Sequence, residues 1–228
     1  MRQRLHEIRL ERIAERRRLF QKPSVILHSV PLSSQQETID LVAVSSRPDF
    51  IPTITQLRAL SSSVSKHRYN FDGIRLYSPD DPSIHVQIYR NGSIEQVTSE
   101  IRHSIHDTFR GTVKNLPHDT FEDSVISGLS SALSFQKYIG VTPPIVIMLS
   151  LVNYLDYSIY APFLSDPIAR WGLPIEHEVL ETPDIVVNDY EGDPAKILRP
   201  VFDVVWNAAG HWRSLNYNDA GERVPRGE

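Results

Sequence analysis

Hydrophobic positions along the chain change period several times, and each change marks an element. Ser24 to Val30 is a β-prone run closed by Pro31, and Ile39 to Val44 reads as a second short extended segment. Phe71 to Tyr77 (FDGIRLY) is a strand entered through a turn-prone Asp72-Gly73. Ile84 to Arg90 and Ser93 to Val97 are β-prone runs on either side of Asn91-Gly92. Asn-Gly favours a type I′ turn because both central residues take positive φ, so an antiparallel hairpin is predicted there.

Beyond this hairpin the period lengthens. Ile101, Ile105 and Phe109 recur every four residues behind a capping Thr98 or Ser99, predicting a helix that stops at Gly111. Asp119 and Glu122 have capping-box spacing for a longer helix, with Phe121, Val125, Ile126, Leu129 and Leu133 inward and Gly140 at its end. Pro144 to Val152 is apolar at both parities, as expected of a central strand covered on both faces. Ile185 to Val187 reads as another strand, and a last helix is predicted from Pro200 to Gly210, pairing Val201 with Val205 and Phe202 with Trp206. The sum is an α+β (or α/β) protein: a mixed sheet containing an antiparallel Asn-Gly hairpin, helices packed against it, and a basic helix in front.

With 228 residues, 40% of them hydrophobic, the chain is long enough for a sizeable core. The pattern divides into a helical connector over 1–22, one globular domain over 23–216 and a tail over 217–228. The absence of cysteine excludes disulfides, thiolate metal sites and a Cys nucleophile. No apolar run approaches the ~20 residues that span a bilayer, and no secretory signal is legible, so a cytoplasmic protein without a membrane partner is expected. The net charge of −4 is unevenly spread: residues 1–22 hold eight of 24 Lys+Arg and three of 28 Asp+Glu, giving +5 there and −9 elsewhere. An acidic body offers nucleic acid little general attraction, whereas Arg9, Arg12, Arg16, Arg17, Arg18 and Lys22 form a basic stretch able to meet phosphates or a partner protein.

Neither a glycine-rich phosphate loop nor a GxSxG elbow occurs, and no catalytic residue or cofactor is assigned. On the predicted helix from Ser99, His103, His106 and Asp107 share the polar side and could grip a metal, as in a metal-dependent hydrolase or nuclease. The solvated-face reading is preferred, because Arg102 and Arg110 beside them repel a cation. Asp184, Asp189, Glu191 and Asp193 are better explained as a polar connection, with Asp193 capping a turn, than as a Mg²⁺ or Ca²⁺ site. Trp206, His211 and Trp212 could form an aromatic platform, but the helical spacing favours Trp206 in the core, with Trp212 folded back over the last turn behind Gly210.

The ordered segments LERIAERRRL (10–19), VILHSVPL (25–32), RYNFDGI (68–74), VQIYRNGSIE (86–95), IGVTPPIVIMLSLV (139–152), LRPVFDVVWNAAG (198–210) and RSLNY (213–217) resemble the C-terminal half of bacterial AlbA/Schlafen-type proteins, described as DNA-binding or ATP-binding. The resemblance covers most of the chain. In that family a Schlafen-like module precedes a basic helix and then this domain; the module has no counterpart here, so no nucleotide-contacting or catalytic residue carries over. The resemblance implies a prokaryotic, nucleic-acid-associated accessory domain, with antiviral defence as a setting, in which residues 1–22 dock a partner module. Self-association is a further option, and direct nucleic-acid binding through the basic helix is the alternative.

Overall fold

The computed structural model describes residues 6, 7, 9–14, 21–35, 38–60, 62–108, 110–166 and 168–224. Its centre is a sheet with strand order β10-β8-β1-β5-β4-β3-β2, in which β9 also pairs with β8. The strands are β1 (Ser24–Pro31), β2 (Lys66–Tyr69), β3 (Gly73–Tyr77), β4 (His85–Tyr89), β5 (Ile94–Thr98), β8 (Ile145–Val152), β9 (Val179–Glu181) and β10 (Ile185–Val187). β6 (His103–Asp107) and β7 (Gly111–Asn115) form a separate ribbon. Every ladder is antiparallel. The parallel pairing expected of a mixed sheet survives, among the described residues, only as the isolated bridge Asn115–Ser158. The class is therefore α+β, and the α/β variant is set aside.

β1 and β8 are buried along their whole length, which explains the run of apolar residues at both parities over 145–152. Val25 and Leu27, with Ile147, Leu149 and Leu151, join the main core beneath α4 (His118–Tyr138) and α5 (Pro194–Ala208). The alternate residues point to the other face, where Ile26, Val97 and Val152 pack on Ile13. Ile13 belongs to α1, helical at residues 6, 7 and 9–14, so the basic N-terminal helix lies on the sheet as part of the body. The opposite terminus is equally attached: Tyr217 is buried, and Arg223 reaches Glu122 and Asp123 of α4.

Several elements differ from the sequence expectation. The Asn-Gly hairpin is present, but Tyr89 N donates to Ser93 O at 2.8 Å across a three-residue loop in which Gly92 alone takes positive φ (78°). This is a turn followed by one left-handed residue, not a type I′ turn. A Cβ on Gly92 would also stand 2.6 Å from Val141 Cγ2. The helix predicted after Ser99 is instead the β6–β7 ribbon. His, Thr and Asp are weak helix formers, Gly111 takes positive φ opposite Asp107, and β7 is held by Ser158 N donating to Lys114 O and Leu116 N to Ser158 O. Partner backbone, which a three-residue apolar stripe does not encode, decided the outcome.

Residues 39–44, expected to be extended, carry α2 (Leu41–Ser45), because Asp40 accepts from Val42 N and Ala43 N and so caps it; α3 (Phe50–Ile54) follows. The last helix starts at Pro194, capped by Asp193, and Pro200 lies within it. Glu122, read as a reciprocal cap, is fully buried and bonded elsewhere.

Candidate interaction surface

After α5, Gly210 (φ 79°) turns the chain, and its missing Cβ makes room for Leu173, whose side chain would stand 2.8 Å from it. Leu173 N donates to Ala209 O at 2.7 Å, tying the 164–173 segment to the helix end. Between them opens a groove of about 480 Å³ lined by Leu164, Ile168, Leu173, His211, Trp212 and Leu215, among others. Trp212 is 72% exposed, Leu173 64% and Ile168 75%. Arg213 lies 4.1 Å from the Trp212 ring centre and is held by Asp219 at 2.6 Å. Three large apolar side chains around one concavity, beside a fixed Arg, have the composition of an interface anchor.

The three residues of the expected aromatic platform are thus separated by the fold. Trp206 is fully buried, as the helical spacing predicts, and its Nε1 donates to Glu122 Oε1 at 2.8 Å. His211 is buried against the Trp206 ring, with Nε2 3.1 Å from Ile159 O. Burial lowers its pKa, an effect the bond to Ile159 partly offsets. Trp212 does not fold back over the last turn; Leu173 takes that place.

Glu122 organises a polar cluster beneath this surface. Besides Trp206 it accepts from Ser214 Oγ at 2.6 Å and from Arg223, and His118 Nδ1 lies 3.0 Å from Asn216 Oδ1 alongside. Burial raises the Glu122 pKa, while the donors from Ser214, Asn216 and Trp206 and the charge of Arg223 pull it back. These bonds fasten α5 and the C-terminal turns to α4. A second buried cluster lies on the α1 side of the sheet: Glu95 sits between His28 (3.0 Å) and His85 (3.3 Å). Sequence reading missed it, since only strand register brings residues 28, 85 and 95 together.

The basic stretch is divided as well. Arg9 is buried: Nε donates to Ser150 Oγ at 2.9 Å, one terminal nitrogen to Thr182 O at 2.8 Å and to Asp184 at 3.1 Å, and the other to Leu149 O. Burial lowers its pKa, with Glu181 and Asp184 opposing. It anchors α1 and presents nothing to a phosphate. Arg12 lies over the Tyr89 ring at 4.4 Å, and Lys22 pairs with Asp81 at 2.7 Å. Arg16, Arg17 and Arg18 lie outside the described residues.

His103, His106 and Asp107 stand on a strand, where residues three apart face opposite sides, so the shared polar face that a metal pair required is not formed. No group of three His, Cys, Asp or Glu suited to a metal occurs among the described residues. The acidic residues of the 184–193 connection serve local bonds: Asp184 meets Arg9, Asp189 accepts from Glu191 N, Glu191 pairs with Lys137, and Asp193 caps α5. Among the described residues no helix is long and apolar enough to cross a membrane. In comparisons with known proteins the chain matches no family model, no curated protein and no solved structure.

Proposed function

We propose that this chain is a non-enzymatic accessory domain of a prokaryotic, nucleic-acid-associated system, with antiviral defence as its setting, and that it works by holding a partner protein. The observation that supports this is the groove at the end of α5, where Trp212, Leu173 and Ile168 leave apolar surface exposed around a concavity while Gly210 and Arg213 fix its walls. An apolar side chain of the partner fills the groove, and Trp212 with Arg213 forms the rim. The buried His and Glu side chains His28, His85, Glu95, His118, Glu122 and His211 are engaged with neighbouring groups of the fold, as a scaffold requires.

The test is capture from the native host, identification of the bound protein, and reconstitution with the purified partner. Trp212→Ala together with Ile168→Asp, both at exposed positions of the groove, is expected to weaken the reconstituted complex by at least 2 to 4 kcal/mol, roughly 30-fold or more, with the melting temperature of the domain unchanged. A reconstituted complex indifferent to both substitutions, or turnover of a substrate by the purified chain, would overturn the reading.

A further inference from the structure

Of the basic residues at the N-terminal end, Arg9 is spent inside the fold, Arg12 lies on Tyr89 and Lys22 on Asp81. A different concentration of positive charge stands at the free edge of the sheet. β2 ends the strand order, and its four residues Lys66, His67, Arg68 and Tyr69 are all exposed. Register sets Lys66 opposite Tyr77 and Arg68 opposite Arg75. Alternation sends residues 66 and 68 to the same face, so three cations and an aromatic ring share one side of the β2–β3 ribbon. Arg68 lies 5.5 Å from the Tyr77 ring centre. Directly opposed like charges destabilise a strand pair. A charged edge strand discourages edge-to-edge pairing, and Arg75, one strand further in, adds a second guanidinium to the same face while donating to Pro82 O at 3.5 Å.

The turn joining the two strands carries Phe71, which is 93% exposed, with Arg90 Nε donating to its carbonyl at 3.0 Å. The acidic groups nearby in the chain are Asp72 in the turn and Asp80 and Asp81 after β3, and Asp81 is neutralised by Lys22. The cations lie along the paired strands, and the exposed ring stands at the turn that joins them.

We propose that the β2–β3 ribbon binds single-stranded nucleic acid, with Lys66, Arg68 and Arg75 on the phosphates and Phe71 stacking on a base. Alternate strand residues are about 7 Å apart, close to the separation of successive phosphates in an extended single strand. Cationic tracks combined with stacking rings are how single strands are held without sequence preference. An acidic peptide added to the edge would pair with the outer backbone of β2 and reach Lys66 and Arg68 before Arg75, which lies one strand further in. A phosphate chain running along the face meets Lys66 and Arg68 in succession, with Arg75 beside Arg68. The site is independent of the Trp212 groove and adds a second ligand to the same domain.

The experiment is fluorescence anisotropy of the full chain with a labelled oligothymidylate of about 15 nucleotides, long enough for a site of this kind, over a range of salt. The parent is expected to bind with affinity falling as salt rises. Arg68→Glu with Arg75→Glu is expected to abolish binding, Arg68→Gln with Arg75→Gln to weaken it about tenfold or more and flatten the salt slope, and Phe71→Ala to weaken it about tenfold. Parent-like melting of the Gln pair establishes that the fold is intact. Three results overturn the proposal: no binding by the parent at low salt; undiminished binding by the Gln pair, whether or not an Arg16/Arg17/Arg18→Gln triple variant loses it; or binding of poly-glutamate but not of the oligonucleotide. None of these bears on the Trp212→Ala test of the partner groove.

Discussion

Trp206 and Trp212, six residues apart, show what a side chain's neighbourhood does to its role. Trp206 repeats with Phe202 and Leu198 along α5, and that periodicity alone marks it as core. Its indole N–H, however, finds Glu122 84 positions earlier, a pairing that no local pattern announces. Trp212 follows the helix stop, where periodicity has ended, so its exposure depends on whether another segment covers it; Leu173 occupies the space over Gly210 and leaves the indole outside. His211 gives a prediction at this scale. Its folded pKa lies below its ordinary value near 6.5, because burial disfavours the imidazolium. Between those two values the unfolded chain binds more protons than the folded one, so the His211 contribution is complete above about pH 6.5 and declines as pH falls toward the folded pKa. His211→Gln should flatten the melting temperature between about pH 7 and pH 5 relative to the parent. Parallel pH profiles for the two proteins would contradict the assignment.

At the scale of elements, patterns that carry their own stop signals were legible and short stripes were not. The Asn91-Gly92 hairpin, the long α4 and the doubly buried β8 all announced themselves, because turn chemistry, a 21-residue run and apolarity at both parities leave few alternatives. The stretch from Ile101 to Gly111 did not, since three apolar residues at helical spacing give a nucleus too weak to resist a β partner, and the segment around Ser158 supplied one. The helix α1 was legible as a helix but not as a docked one. Its anchor, Arg9, resembles any other Arg in a basic run until Ser150, Thr182 and Asp184 are brought around it. Arg9→Met keeps the alkyl stem and removes the guanidinium, leaving Asp184 without that partner. The substitution is expected to cost about 3 kcal/mol in urea unfolding and to open residues 9–14 to proteolysis under native conditions. Unchanged protection of that segment would show that Ile13 alone holds the helix.

For the whole molecule, both ends of the described chain are part of one body. α1 packs over β1, β5 and β8 on one face of the sheet, and on the other side Tyr217 and Arg223 pack on the layer formed by α4 and α5. Ending the chain after Asn216 removes a buried tyrosine and the cation facing Glu122. A loss of about 3 kcal/mol is expected from the orphaned carboxylate alone, or roughly 6 to 12 °C in melting temperature for a domain of this size. A truncated chain that melts within a degree or two of the parent would show these contacts to be superficial.

The sequence by itself determined a body of mixed helices and strands, the main elements among them, the buried Trp206 and the uneven distribution of charge, while the antiparallel ladders of the structure decided for α+β over α/β. Periodicity, turn residues and composition are properties of neighbouring positions and need no knowledge of distant ones. Only the tertiary structure decided which cations face solvent, which aromatic ring stays bare and which strand is left as an edge. Arg68 meets Arg75, and Glu95 meets His28, through strand register. Register is set by how a whole sheet closes over its core.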